Sequence, residues 1–280
     1  MCAKRLFLFA AYDADGVTDD ALKSYVSACA NLGDVVVVMD ADGDARALDV
    51  SRRVLYTAAH RHGEYDFGSY RRAYEWAHDN LDLSEYDFLY LVNDSVYITG
   101  DIADAVAKME SGSAAMFGMV KNPHRNHPHI QSWFIGMTRD VFCTPWFDDF
   151  MRRITRQPSK GAITRIYEHG LSRIVMDHGL AIAAIMTVPG RGVYNRPKKL
   201  WRGGIPMFKK CAITRRGGAV AGQVEYILRH MDANLRAATI ASARRTYGAK
   251  NVDRLLTRNP IKTVWRNIKY FIHKILTGEI

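Results

Sequence analysis

Asn93-Asp94-Ser95 closes one short apolar run, residues 88–92, and opens a second, residues 96–99. A carboxylate between an amide and a hydroxyl, at the carboxyl end of a strand, suits a hard divalent cation that carries phosphates. The competing expectation is that Asp94 caps the turn or helix beginning near Asp101. Other loops offer what a nucleotide needs. Tyr12 has a stacking face, and Asp40 and Asp66 are acceptors for base or ribose donors. Arg71 or Arg72, at the start of a helix, could neutralise phosphate. Farther on, His124, His127 and His129 share a proline-punctuated loop that runs into Gln131 and Ser132. Their spacing admits zinc, but no cysteine stands near, and the loop is expected to shape the acceptor or donor-sugar pocket.

These groups can converge only if the elements before them end on one edge. Residues 4–11, 34–39, 53–57 and 88–92 read as strands; four consecutive valines at 35–38 mark a strand buried on both faces. Thr18 is expected to cap a helix to Asn31 that stops at Gly33, and a second helix spans 69–78 after the polar loop 60–68. This rhythm is that of a doubly wound nucleotide-binding half, whose ligands lie beyond the carboxyl ends of the strands. Residues 101–110 then form a helix and 114–120 a strand. Residues 130–137 return as an antiparallel strand, because the connection is too short for a crossover helix. Helices at 145–154 and 163–178 and a last strand at 180–188 complete an α/β fold. Its mixed, mainly parallel sheet carries helices on both faces.

The net charge of +10 conceals an asymmetry. Residues 1–189 hold 19 Lys and Arg against 25 Asp and Glu, and residues 190–280 hold 20 against 4. The division predicts a slightly acidic catalytic domain, 1–189, and a basic C-terminal region, 190–280, of the kind that meets anionic surfaces. Residues 191–216 read as a basic loop folding over the site. Asp232 caps a helix to Tyr247 that stops at Gly248. In 260–276, Ile261, Val264, Trp265, Ile268, Phe271, Ile272, Ile275 and Leu276 recur at helical spacing, with Lys262, Arg266, Lys269 and Lys274 between them. That is the pattern of an interfacial membrane helix; the alternatives are a helix packed on the protein body and, with no recognised motif to support it, nucleic-acid binding. No segment reaches the ~20 apolar residues of a membrane span. Residues 6–11 are too short for a signal core and read as the first strand. Four scattered cysteines, Cys2, Cys29, Cys143 and Cys211, predict free thiols in a reducing compartment.

The segments YDFGSYRRAYEW (65–76), YDFLYLVNDSVY (86–97) and HIQSWFIGMTRDVF (129–142) together resemble the rhamnan synthesis protein F family of bacterial glycosyltransferases, over residues 4–215. The resemblance implies a GT-A-like fold, a nucleotide-sugar donor and a divalent cation, Mn²⁺ or Mg²⁺, held on the diphosphate by Asp94. Donor contacts are then expected from Tyr12, Asp40, Asp66, Phe67, Gly68, Arg71, Asn93, Asp94 and Ser95. His129, Gln131 and Ser132 fall in the acceptor or sugar pocket. The resemblance further implies that Glu168, in Tyr167-Glu168-His169-Gly170-Leu171-Ser172-Arg173, is the general base of an inverting transfer, with His169 where related enzymes carry a second acid. Without the resemblance, Glu168 would read as a solvated helix residue pairing with Arg165 or Arg173.

The expected protein is therefore a cytoplasmic transferase, peripheral on the inner face of the bacterial plasma membrane. It would move rhamnose from dTDP-rhamnose to a lipid-linked or glycan acceptor, with no nucleic acid involved. The rival expectation is a glycan-binding or basic nucleic-acid-associated protein on the same scaffold, without turnover.

Overall fold

The computed structural model describes residues 3–214, 218–257 and 259–277. The chain separates into two compact units. The first comprises the residues up to Asp94 together with Asp101–Gly190, and the second comprises Ser95–Gly100 with the residues from Arg191 onward.

The first unit starts with β1 (Arg5–Tyr12), α1 (Asp20–Ala30), β2 (Asp34–Asp40), β3 (Val54–Ala59), α2 (Tyr65–Asn80) and β4 (Phe88–Asn93). In the second unit lies β5 (Val96–Ile98). The first unit resumes with α3 (Ala103–Glu110), β6 (Met116–Asn122), β7 (His129–Ile130), β8 (Phe134–Thr138), α4 (Arg139–Phe142) and α5 (Pro145–Arg152). It ends with α6 (Lys160–Ile163), a π-widened turn at Thr164–Glu168, α7 (His169–Asp177) and β9 (Ile182–Thr187).

Strands β3, β2, β1 and β4 lie side by side and parallel, and β8 joins β4 antiparallel. Beyond β8 comes β6, which pairs antiparallel with β8 and β7 and parallel with β9. The sheet is thus mixed and mainly parallel in its first half, as the apolar runs require. From β1 the chain moves outward to β2 and β3, then crosses back to β4 on the other side of β1. The carboxyl ends of β1 and β4 therefore flank a topological switch point, where open α/β sheets bind ligands. There the Asp94 N–H donates to the Ala10 carbonyl at 3.1 Å.

Both faces of the central strands are covered, which is why they read as unbroken apolar runs. Leu6, Leu8, Val36, Val38, Leu89 and Leu91 pack with Phe67, Tyr70 and Tyr74 of α2. Gly118 and Gly136 allow β6 and β8 to approach closely. A Cβ on Gly118 would press on Ile130 Cγ2 and come within 2.6 Å of the Phe134 carbonyl oxygen. Gly118→Ala is expected to lower stability by about 1–3 kcal/mol, the cost of overpacking a filled core, read as a fall in the urea midpoint.

Four expectations need correction. First, α2 begins at Tyr65 rather than Ser69, so Asp66, Phe67 and Gly68 sit in its first turn and not in a loop. Glu64 precedes it without a side-chain cap, and Tyr65 takes φ 59°, so no capping signal marked the start. Second, α1 is capped by Asp19, whose carboxylate accepts from the Leu22 N–H, and not by Thr18. Third, residues 130–137 are not one strand. The pairing breaks at Gln131-Ser132-Trp133, where the Ser132 N–H leaves the ladder for the Glu168 carboxylate. Fourth, the span 191–216 is not an open loop. It folds into α8 (Gly192–Asn195), α9 (Pro197–Arg202), β10 (Met207–Lys209) and a 3₁₀ turn at Lys210–Ile213; Arg215 and Arg216 lie outside the described residues.

In the second unit β10 pairs antiparallel with β5, so Ser95–Gly100 leaves the span 1–189 to which the sequence assigned it. Helices α10 (Gly218–Arg229), α11 (Ala233–Tyr247), α12 (Ala249–Leu255) and α13 (Pro260–Thr277) follow. Asp232 caps α11 by accepting from the Asn234 and Leu235 N–H groups. Along α13, Ile261, Val264, Trp265, Ile268, Phe271, Ile272 and Ile275 are all exposed, at 44–69 % of their surface. Lys262 and Lys269 are exposed as well, while Cys2 and the side chains of Arg266, Lys274 and Leu276 lie outside the described residues. Among the described residues no helix is long and apolar enough to cross a membrane.

Candidate active site

Asn93, at the end of β4, is buried and donates from Nδ2 to Asp66 Oδ2 at 2.9 Å and to the Ser132 carbonyl at 3.4 Å. The Tyr70 hydroxyl donates to the same carbonyl at 3.0 Å. Burial, and then the Asp66 charge, push the Tyr70 phenol well above its ordinary range, so it stays a donor. Ser132 in turn gives its N–H, at 3.0 Å, and its hydroxyl to Glu168 Oε2. Glu168 Oε1 lies 3.4 Å from His129 Nε2. Four of the sequence-selected residues, Asp66, Asn93, Ser132 and Glu168, thus belong to one hydrogen-bonded chain between the end of β4 and the π-widened turn after α6, and a fifth, His129, faces Glu168. Gln131 adjoins it, with Nε2 3.4 Å from His129 Nε2.

Glu168 is 9 % exposed, so it is not a solvated residue pairing with Arg165 or Arg173. One of its oxygens is occupied by two donors, which fixes the carboxylate plane; the other faces imidazole. Around it the histidines stack. His169 lies 4.1 Å from His129 and 4.5 Å from His127, and His127 lies 3.6 Å from His124, ring centre to ring centre. Burial and the neighbouring imidazoles push His169 down to about 4, leaving it neutral.

The loops after β1, β2 and β3 are tied by a residue the sequence did not single out. Arg61 donates to the carbonyls of Asp40, Asp13 and Ala14 and to the Asp42 carboxylate. Its partners are mostly backbone carbonyls, which carry no residue-type signal. Asp40 Oδ1 accepts from the His62 and Gly63 N–H groups, so this carboxylate holds the 60–63 loop. Tyr12 is 56 % exposed, with its ring 5.9 Å from the Arg61 guanidinium. Phe67 is buried between Tyr70 and Tyr167, and Gly68 is tight against Glu64. Arg71 donates to the Ile154 carbonyl and, with Arg72, to Glu64 Oε2, partners it would have to leave to meet a phosphate.

Asp94 is half-buried, and its charge reaches the Tyr70 and Tyr25 phenols. It is not the cap of α3, since Asp101 Oδ1 takes the Ala103 N–H. Among the described residues no group of three potential ligand side chains includes Asp94. A lone carboxylate still fits Mg²⁺ or Mn²⁺ bound mainly through substrate phosphates. Ser95 lies in the second unit, where its hydroxyl accepts from Lys209 Nζ at 2.8 Å.

His62 supplies a pH test of the loop. Its Nδ1 accepts from the Glu64 N–H and its Nε2–H donates to Ser69 Oγ, so both nitrogens are committed in the neutral form. Burial lowers it from 6.5 to about 4; Arg72 and His60 act in the same direction, against Asp40 and Glu64. A value depressed by folding means that the unfolded chain takes the proton first. The contribution is therefore complete above about 6.5 and is lost as pH falls toward 4. The urea midpoint should fall between pH 7.5 and 5, and His62→Gln should flatten that dependence.

Residues 52–272 match the family described as rhamnan synthesis protein F. The chain belongs to that family. The match starts later than the resemblance read from sequence and extends through most of the basic C-terminal region, so that region is part of what the family shares. No curated protein matches. Among solved structures the chain is similar to the mannosyltransferase Ktr4p from S. cerevisiae, at 11 % identity and TM-score 0.31, over 54 % of this chain and 59 % of that one. The same protein in complex with GDP gives 9 % identity and TM-score 0.30, over 54 % and 60 %. The match thus spans about three fifths of that chain's length.

Proposed function

We propose that this protein is a GT-A-like glycosyltransferase of bacterial surface-polysaccharide assembly. It moves a sugar, rhamnose from dTDP-rhamnose, onto a lipid-linked or glycan acceptor with inversion at the anomeric carbon. The observation that carries the proposal is the oriented Glu168 carboxylate, linked through Ser132 and Asn93 to Asp66 at the strand ends of a chain that belongs to this family. An inverting transfer needs one carboxylate beside the acceptor hydroxyl. With Oε2 engaged by Ser132, Oε1 is the oxygen that takes the acceptor proton as the hydroxyl oxygen attacks and the bond to the diphosphate breaks. Tyr12 supports the base, while Asp66, Asn93 and Arg61 hold the loops around the donor. A divalent cation, Mn²⁺ or Mg²⁺, would be held by Asp94 and would supply charge neutralisation of the leaving diphosphate.

The exposed apolar side chains of α13, set among lysines, support attachment of the protein to the anionic inner face of the plasma membrane, where a lipid-linked acceptor resides. The test is incubation with labelled dTDP-rhamnose and membrane lipid from a polysaccharide-producing bacterium. Label is expected in the lipid or glycan fraction, in the anomeric configuration opposite to the donor's. Failure to transfer from dTDP-rhamnose, with transfer from another nucleotide sugar, would overturn the donor assignment alone.

A further inference from the structure

We propose that His129, Glu168 and His169 form a site for one transition-metal ion of the zinc, cobalt or nickel type, distinct from the oxygen-ligand position at Asp94. The site rests on side-chain geometry and holds whether or not Glu168 is the base. Among the described residues these three are the one group of His, Cys, Asp or Glu side chains placed to share an ion, with a ligand atom of each within 4.8 Å of the others. His129 Nε2 and Glu168 Oε1 are 3.4 Å apart. Two ligands about 2.0–2.1 Å from a tetrahedral zinc lie roughly 3.3 Å apart, so this edge is already near the required length. His169 closes the triangle by a small side-chain adjustment.

The surroundings are those a metal site needs. His129 Nδ1 lies 2.8 Å from the His127 carbonyl, which can only accept, so Nδ1 carries a hydrogen. In the neutral ring, Nε2 then carries a lone pair that stands 3.4 Å from the carboxylate oxygen and accepts from the Gln131 side-chain amide at 3.4 Å, a long bond that a metal ion on Nε2 would replace. A metal-bound histidine commonly gives its other N–H to a carbonyl in this way. Glu168 is supported likewise: Ser132 gives two donors to Oε2 and leaves Oε1 facing His129 Nε2. Two imidazoles and one carboxylate, with a fourth position left over, suit zinc-like ions and not Mg²⁺, which prefers oxygen. A proton on Nε2 would also answer the lone pair, by making an imidazolium–carboxylate pair, and titration with metal separates the two.

The experiment is titration of the metal-stripped full-length protein with Co²⁺, followed by visible absorption, and with Zn²⁺ in competition. Wild type, His129→Asn, His169→Ala and Asp94→Ala are compared, with circular dichroism to check folding. One equivalent of Co²⁺ should bind wild type and Asp94→Ala with the intense bands of a four-coordinate ion. The two histidine variants should bind at least ~10–100-fold more weakly, since even supporting residues contribute that much. Should His129→Asn fail to fold, the half-buried His169 carries the comparison alone. Absence of stoichiometric Co²⁺ binding by folded wild type, or equal binding by His169→Ala, would overturn the site and leave the proton in its place. Turnover separates the site from the base assignment. Zinc on Glu168 should inhibit Mg²⁺-supplied wild type; stoichiometric zinc binding without inhibition would keep the metal site and count against Glu168 as the base.

Discussion

Glu168→Gln is expected to reduce sugar transfer by ~10²–10⁴-fold, the usual contribution of a positioned acid or base. The substitution nearly preserves shape, and the amide oxygen can still accept the Ser132 N–H and hydroxyl that now bind Oε2. What disappears is the capacity to take a proton. Donor binding and melting temperature should therefore change little while turnover collapses. Ser132→Ala offers the complementary case. It leaves the carboxylate but loosens its plane, so a smaller loss of turnover is expected, with the general-base limb of the pH profile retained. A Glu168→Gln enzyme keeping more than about a tenth of wild-type turnover would remove Glu168 from proton transfer.

Replacing Trp265 and Phe271 together by Glu is expected to weaken binding to anionic vesicles by ~100-fold or more. Each large apolar side chain contributes about 1.5–3 kcal/mol when fully withdrawn from water, and the new charges add repulsion from the lipid headgroups. In the structure these side chains are 59 % and 61 % exposed, so the folded protein gains little from them. The melting temperature should stay within the small range of surface substitutions. Sedimentation with vesicles containing phosphatidylglycerol checks the binding. Unchanged sedimentation would exclude this face as the attachment surface, and a large drop in melting temperature would mean that it packs on protein.

The strands of the sheet were legible because most of them are apolar runs. The valines at 35–38 and the segment 88–92 fit strands buried on both faces better than helices, and both are strands, buried but for Phe88 at the start of β4. What was not legible lies where tertiary partners overrule local pattern. Residues 130–137 alternate well enough for a single strand, yet the ladder breaks at Ser132, whose N–H bonds a carboxylate 36 positions away. The interruption of the pattern falls at the candidate site. Asn93 and Asp66 were chosen from sequence as separate donor contacts, and their bond to each other depends on where α2 begins. Arg61 stayed hidden because its acceptors are carbonyls from two other loops. In the basic region α10 and α12 escaped notice, since glycine obscures the start of each.

The most direct measurement of the donor site is calorimetric titration of the full-length protein with dTDP, UDP and GDP, each with and without Mn²⁺, on wild type and Asp94→Ala. One nucleotide, expected to be dTDP, should bind with clear preference, and its affinity should drop when Mn²⁺ or the Asp94 carboxylate is removed. Binding that ignores both would keep a nucleotide site while releasing Asp94 from cation binding. A folded protein that binds none of the three would contradict nucleotide-sugar transfer, and would leave a glycan-binding protein without turnover as the function of this fold.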